Sequence, residues 1–427
     1  MRLESIENPR VLWIGRNIPY PLNTGANIYS CRLAESLVEA GALVRFAGFG
    51  DTSAVPADTK VEWLPVPGER RGQVAALFSH LPLAASVDAT RSYKFLLEAQ
   101  LHEDWDAIVL DYFGAGWALP RCLEYRAARQ GRPMLLHVSH NHEEAVWRSM
   151  AAEARGTLPK RLVLRQNYFK VRALERRIVR SVDMITAITE EDAVALVAAA
   201  SVPRKPRLTL PPGYSGWVAK ERTIDAATPR RVIMVGSYHW VIKQENLARF
   251  VEVADPVFLR NGIELDVVGE VPDELLAALR SRSTVTHFHG FVDNVADLLG
   301  RARIAAVPEL IGGGFKLKFL DYIFARVPTA TLPQAATGLA PQLQRAMIHS
   351  ADLPSLVDDI VRNIDDFDTL NDMQSRAFTA AAALFRWEDR GQELLQAILS
   401  LRNERRGAAD AAPDVPTALG AQYGSAR

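Results

Sequence analysis

Two lysines and an aspartate open an apolar segment in IGGGFKLKFLDYIFARVPTA, residues 311–330. Three consecutive glycines precede them, Gly313 and Gly314 among them, and glycine runs are kept where backbone bends sharply or approaches something closely. Phe315, Phe319, Ile323 and Phe324 recur at three- and four-residue steps, which predicts a helix beginning near Phe315. Lys318 and Asp321, three apart, fall on another face of it. A glycine loop feeding a helix N-terminus, with cations added, is a means of holding phosphate.

Three further stretches carry residues suited to chemistry. In VGSYHWVIKQENL, Gly236 and Ser237 leave room for a ligand, and Lys243 with Lys316 and Lys318 would make a diphosphate clamp. HVSHNHEEAVW ends a predicted strand with His137, His140, His142, Glu143 and Glu144. Such residues can ligate a metal or move a proton. On strand spacing, though, the histidines point to opposite faces, so a single catalytic or substrate-orienting His or Glu fits the location better than a zinc site. In RNIPYPLNTGANIYS, Asn23, Thr24 and Gly25 open the first helix. They either leave N–H groups free for an anion or form a turn and N-cap.

The elements that must position these residues alternate along the chain. RVLWIG, LVRFAGFG, AIVLDY, PMLLHVSH, MITAIT and RLTLP read as strands, with helical patterns between them. After LPPGYSG, residues 210–216, the pattern restarts with RRVIMVG, IELDVVGE, VTHFHGF, RIAAVP and PTATL. Alternation of this kind predicts an α/β protein with a parallel sheet built twice. In such sheets ligands sit at the C-terminal ends of the strands, where the candidate residues lie.

Composition narrows the function. Fifty basic residues balance fifty acidic ones among 427, so no global charge advertises a nucleic-acid partner. Two cysteines, Cys31 and Cys122, are too few for a disulfide framework and suit a cytoplasmic setting. The start lacks a signal-peptide pattern, and no apolar run is long enough to span a membrane. The dinucleotide fingerprint G-x-G-x-x-G is absent, which counts against a nicotinamide or flavin enzyme. Residues 154–180 are strongly basic, with Leu164, Tyr168, Val171, Leu174 and Ile178 at helical spacing. This reads as an amphipathic helix packed on the first domain, or as a peripheral contact with an anionic membrane.

With these stretches in order, the chain resembles the large superfamily of nucleotide-sugar glycosyltransferases with the GT-B fold, its family 4 or group 1 members above all. GGGFKLKFLDYIFARVPTAT, VGSYHWVIKQENLARF, HFHGFVDNVADLLGRARIAAVP, HNHEEAVW and PYPLNTGANIYSCRLAESL carry the resemblance. It implies two Rossmann-like domains facing across a cleft, an acceptor-binding one over 1–210 and a donor-binding one over 217–385. A helix over 386–402 would return to the first domain, with 403–427 a disordered tail. It also implies that Gly313, Gly314, Lys243 and Lys318 hold the donor diphosphate, with Asp321 on the ribose hydroxyls and the base near residues 289–294. Gly25 would approach the phosphate from the first domain, and His140 would be the active-site histidine, with His142 and Glu143 as alternatives. Family members often carry Glu, seven residues, then Glu. Here those positions hold Gly313 and Asp321, and Glu309 stands out of register.

The function so implied is transfer of a sugar from a UDP- or GDP-sugar to a glycan, lipid-linked or small acceptor, with retention and no metal or cofactor. A non-catalytic partner subunit and a sugar-nucleotide epimerase are the alternatives on the same architecture.

Overall fold

A computed structural model describes residues 8–22, 24–72, 76–152, 157–310 and 314–410. The strands form two sheets, and every strand pairing in both is parallel. The first holds β1 (Arg10–Asn17), β2 (Leu43–Phe49), β3 (Glu62–Val66), β4 (Ala107–Asp111), β5 (Met134–Ser139), β6 (Met184–Ala187) and β7 (Arg207–Thr209), in the order 3-2-1-4-5-6-7. The second holds β8 (Arg231–Val235), β9 (Glu264–Val268), β10 (Thr286–Gly290), β11 (Ile304–Val307), β12 (Thr329–Thr331) and β13 (Ile348–His349), in the order 10-9-8-11-12-13. Each sheet is wound outward from its first strand in both directions. A crevice therefore opens above β1/β4 and again above β8/β11.

The central strands are apolar without alternation because helices cover both faces of each sheet. Val11, Trp13 and Ile14 in β1, and Val232 and Ile233 in β8, are fully buried. The first helix, Gly25–Glu39, starts where Thr24 accepts a hydrogen bond from the Asn27 backbone N–H at 3.2 Å. Two strands give no periodic signal. β3 contains Pro65 and lies at a sheet edge, where a missing N–H does no harm. β13 has only two residues.

Two boundaries differ from the expectation. The helix expected from Phe315 runs Lys318–Phe324. Phe315 instead packs on Phe385, ring centroids 5.6 Å apart, outside the helix. The last helix runs Trp387–Asp410, past the limit expected at 402. Arg402 reaches Asp106 at 3.4 Å, and Arg405 holds the Gly131 carbonyl at 2.7 Å and pairs with Asp183, so these turns are anchored. Residues 411–427 lie outside the described residues.

That last helix ties the two halves together. Leu394 and Ile398 are buried against the first helix, and a Cβ on Gly391 would stand 2.0 Å from the Ser36 carbonyl oxygen. Trp387 at its start covers Gly213 of the linker and packs on Tyr29, ring centroids 5.8 Å apart.

Candidate active site

The second sheet assembles a cluster of lysines. Lys243 comes from the helix Val241–Asn261 after β8, and Lys316 and Lys318 from the segment after β11. They surround Glu309, which directly follows Pro308 at the end of β11. Glu309 accepts from Lys318 Nζ at 2.8 Å and lies 3.9 Å from Lys316 Nζ. Burial would raise the Glu309 carboxyl, but Lys318, Lys316 and Lys243 together hold it below its ordinary value. Burial lowers Lys243, and Lys318 lowers it further. Burial also lowers Lys316, whose Nζ donates to the Gly314 carbonyl at 3.4 Å. Three cations share one carboxylate here, so the cluster retains positive charge at the mouth of the crevice. Glu309 stood out of register in the sequence pattern; folding makes it the counter-ion of the three lysines.

Gly236 stands beside the same cluster. A Cβ there would lie 3.5 Å from Lys318 Nζ. Ser237 is exposed on the loop that follows. Next to it is a cleft of about 360 Å³ lined by His239, Gly269, Glu270, Pro272, Phe288 and Gly290 among others. It lies at the ends of β8, β9 and β10 and takes in Gly290 from the 289–294 stretch where the base was expected. Asp321, on the helix Lys318–Phe324, lies near the Tyr214 hydroxyl, which donates to the Trp217 carbonyl at 3.1 Å, and burial pushes its carboxyl up to about 6 against the lowering by Tyr214 and Lys318. Tyr214 belongs to the linker and stacks on Phe324 with ring centroids 4.2 Å apart. Gly313 lies outside the described residues.

The first domain contributes a histidine fixed by a buried carboxylate. His140 Nε2 lies 2.7 Å from Asp111 Oδ1, and Trp13 Nε1 donates to Asp111 Oδ2 at 2.9 Å. Burial would raise Asp111, but the His140 ring and hydrogen bonds from His140, Ser30 and Trp13 hold it low. Asp111 therefore fixes the ring of His140 and favours a proton on Nε2. His137 is core: fully buried, Nδ1 on the Leu110 carbonyl at 2.9 Å, and pushed by burial to about 4.

Glu143 begins the helix Glu143–Ala152 and is buried. Asn141 Nδ2 donates to it at 3.2 Å, and burial pushes it up to about 7, within reach of proton exchange at neutral pH. Glu175, on the helix Leu158–Ser181, caps that N-terminus by accepting from the Glu143 and Glu144 backbone N–H groups at 2.8 and 2.9 Å. Ligand atoms of His142, Glu144 and Glu175 lie within 4.8 Å of one another, a spacing suited to a cation. Both Glu144 oxygens, however, already hold Arg176, at 2.6 and 2.7 Å, and both Glu175 oxygens hold the helix. A cation would have to displace a guanidinium and uncap a helix, so this donor set does not fit one.

The two domains meet over these residues. A Cβ on Gly25 would be 3.1 Å from Leu317 Cδ1. Gly314 has φ +70°, and a Cβ there would lie 2.0 Å from Asn141 Oδ1. Gly338 has φ +81°, and its Cβ would lie 2.3 Å from Thr189 Cγ2. Glycine at 314 and 338 thus serves both an unusual backbone and a close domain approach. Asn141, Asp111, Thr189, Tyr214 and Glu175 escaped the sequence reading. Only Asp111 had a signal, as an acid at the end of an apolar strand.

Residues 24–213 match the family model of the glycosyl transferase 4-like domain, and residues 229–366 that of glycosyl transferases group 1. Together the two matches cover more than half of the chain. The chain belongs to the group 1 glycosyltransferases. Its two Rossmann-like domains are the GT-B fold, shared by solved glycosyltransferases at low identity. Anabaena Alr3699/HepE, solved in complex with UDP and glucose, is 13% identical over 92% of this chain and 100% of that one, with a TM-score of 0.61. WaaG, a glycosyltransferase involved in lipopolysaccharide biosynthesis, is 17% identical over 90% and 99%, TM-score 0.62. TarM is 9% identical over 92% and 99%, TM-score 0.64. At these identities the likeness is one of fold. Comparison with curated proteins gives no match to this glycosyltransferase.

Proposed function

We propose that this glycosyltransferase moves a sugar from a nucleoside-diphosphate sugar, held on the second domain, to an acceptor held on the first. The observation that carries this reading is the convergence of Lys243, Lys316 and Lys318 on one half-buried carboxylate at the crevice above β8/β11. The base enters the cleft lined by Gly269, Phe288 and Gly290, and the ribose hydroxyls reach Asp321. The diphosphate then takes the lysines, with Ser237 and Gly314 leaving it room and Gly25 facing it from across the cleft.

Breaking the glycosidic bond places a growing negative charge on the leaving diphosphate, and the lysines neutralise it without a metal ion. His140, fixed by Asp111, and Glu143, able to exchange a proton near neutral pH, stand at the first-domain wall beside the reacting sugar. The contacts of Gly25, Gly314 and Gly338 across the domain boundary exclude water and limit donor hydrolysis. UDP is the first donor nucleotide to try, because HepE is solved with it. Retention of anomeric configuration is what the family resemblance implies, and NMR of the product anomer tests it. Activity that survives EDTA tests the metal-independent reading.

Calorimetric titration with UDP, GDP and ADP is the deciding experiment. One of them should bind the wild-type chain, and Lys318→Ala should weaken it roughly ten-fold or more, since a hydrogen bond to a charged group contributes about 1.5–3 kcal/mol. Glu309→Gln should act in the opposite direction. It removes a carboxylate that competes with the diphosphate for Lys318, so binding tightens while the unliganded fold loses stability from unneutralised lysines. No binding by any of the three would remove the donor reading and favour a non-catalytic subunit.

A further inference from the structure

The helix Leu158–Ser181 is expected to cover the core with one apolar stripe, and it does: Val171, Leu174 and Ile178 are buried. It also carries a second apolar stripe that covers nothing. Leu158 is 71% exposed, Leu162 65% and Phe169 49%. With 3.6 residues per turn these three fall on one side of the helix together with Arg161 and Arg165, opposite the buried stripe. Phe78, 88% exposed, follows Leu77, whose carbonyl accepts from Lys170 Nζ of this helix at 3.0 Å.

The charge of this face has one sign. No acidic residue occurs between Thr157 and Leu174. Arg161 and Arg165 are exposed, and neither has an ion-pair partner among the described residues. Farther along the helix Arg176 and Arg172 pair with Glu144. Arg177, exposed there too, has no ion-pair partner among the described residues, so unpaired cations run along the helix and interleave with the exposed apolar stripe at Arg161 and Arg165.

From these observations we infer that the face formed by Leu158, Leu162 and Phe169 with Arg161 and Arg165 docks this protein on an anionic lipid bilayer. Apolar side chains that protrude singly, interleaved with arginine, suit shallow insertion beneath headgroups whose phosphates the guanidiniums contact. A protein interface would more readily present a packed apolar centre with charge confined to the rim. The placement also agrees with transfer to an acceptor held in the membrane. Glu175, which caps the helix at the candidate site, lies on the same helix about 20 Å from Leu162 at 1.5 Å per residue.

Co-sedimentation of the full chain with vesicles tests this. Wild type should pellet with phosphatidylcholine vesicles containing phosphatidylglycerol and remain in solution with phosphatidylcholine alone. Arg161→Gln with Arg165→Gln should weaken binding about five-fold per arginine, and 0.5 M NaCl, roughly three times physiological ionic strength, should weaken wild type likewise. Leu158→Ser with Leu162→Ser should abolish binding. These side chains are exposed, so circular dichroism melts should match wild type and exclude misfolding. Failure of wild type to bind the anionic vesicles, or equal binding by both double variants, would overturn the inference. So would a dimer that the leucine variant converts to monomer, since the face would then be a self-association surface. Vesicle binding requires neither donor nor transfer, so it stands or falls apart from the reaction.

Discussion

Asp321 shows how a single carboxyl can link donor recognition to the linker between domains. Its ordinary value of 3.8 is raised by burial to about 6, even with the Tyr214 hydroxyl beside it. To accept from two ribose hydroxyls it must be ionised, so affinity for the nucleotide should rise with pH through about 6. Tyr214→Phe removes a hydroxyl free to turn toward the carboxylate and favour its charged form, and the midpoint should move up by roughly one unit. Titrations of UDP between pH 5 and 8 on both proteins check this, and an unmoved midpoint would show that Tyr214 does not act on Asp321. The sign for stability follows. A folded value above the unfolded one means that the unliganded protein loses this contribution as pH rises from about 4 to 6. Neither Tyr214 nor its role was legible in the sequence, because it lies more than one hundred positions from Asp321 and carries no motif.

At the scale of elements, the strands were the most legible part, since helices on both faces force an unbroken apolar run. The helix boundaries were less so. The Phe315 periodicity extended one turn too far, because a phenylalanine that packs on Phe385 satisfies the same pattern as a helical one. The returning helix offers a sharper test. Glycine-to-alanine inside a helix ordinarily stabilises by about 1 kcal/mol. At Gly391 a Cβ meets the Ser36 carbonyl oxygen at 2.0 Å, and backbone cannot step aside cheaply. Gly391→Ala should therefore cost about 2 kcal/mol, read as a fall in melting temperature, whereas a rise would mean that the helices do not cross so closely.

For the whole molecule, what matters is that two crevices face each other. Gly338 touches Thr189 of the opposite domain, and its positive φ adds strain to any substitution. Gly338→Val should prop the domains apart while leaving the lysine cluster intact. Donor affinity should stay within about two-fold, transfer should fall roughly a hundred-fold, as small misplacements of reacting groups do, and the radius of gyration from solution scattering should increase. Equal losses in donor affinity and rate would instead mean that Gly338 supports the donor site itself. Domain closure would then act on both binding and transfer.

What the sequence by itself determined is the local part of this protein: two runs of alternating strands and helices, the glycine and lysine segment, and the histidine loop, each legible because its pattern lies within a few consecutive residues. Tertiary structure alone decided which of these residues meet. Glu309 joins three lysines only because β8 and β11 are neighbours in the sheet. Asp111 fixes His140 only because β4 lies beside β5. Asn141 reaches Gly314 only because the two domains pack against each other. Contacts of this kind follow from strand order and domain packing, which distant segments determine jointly.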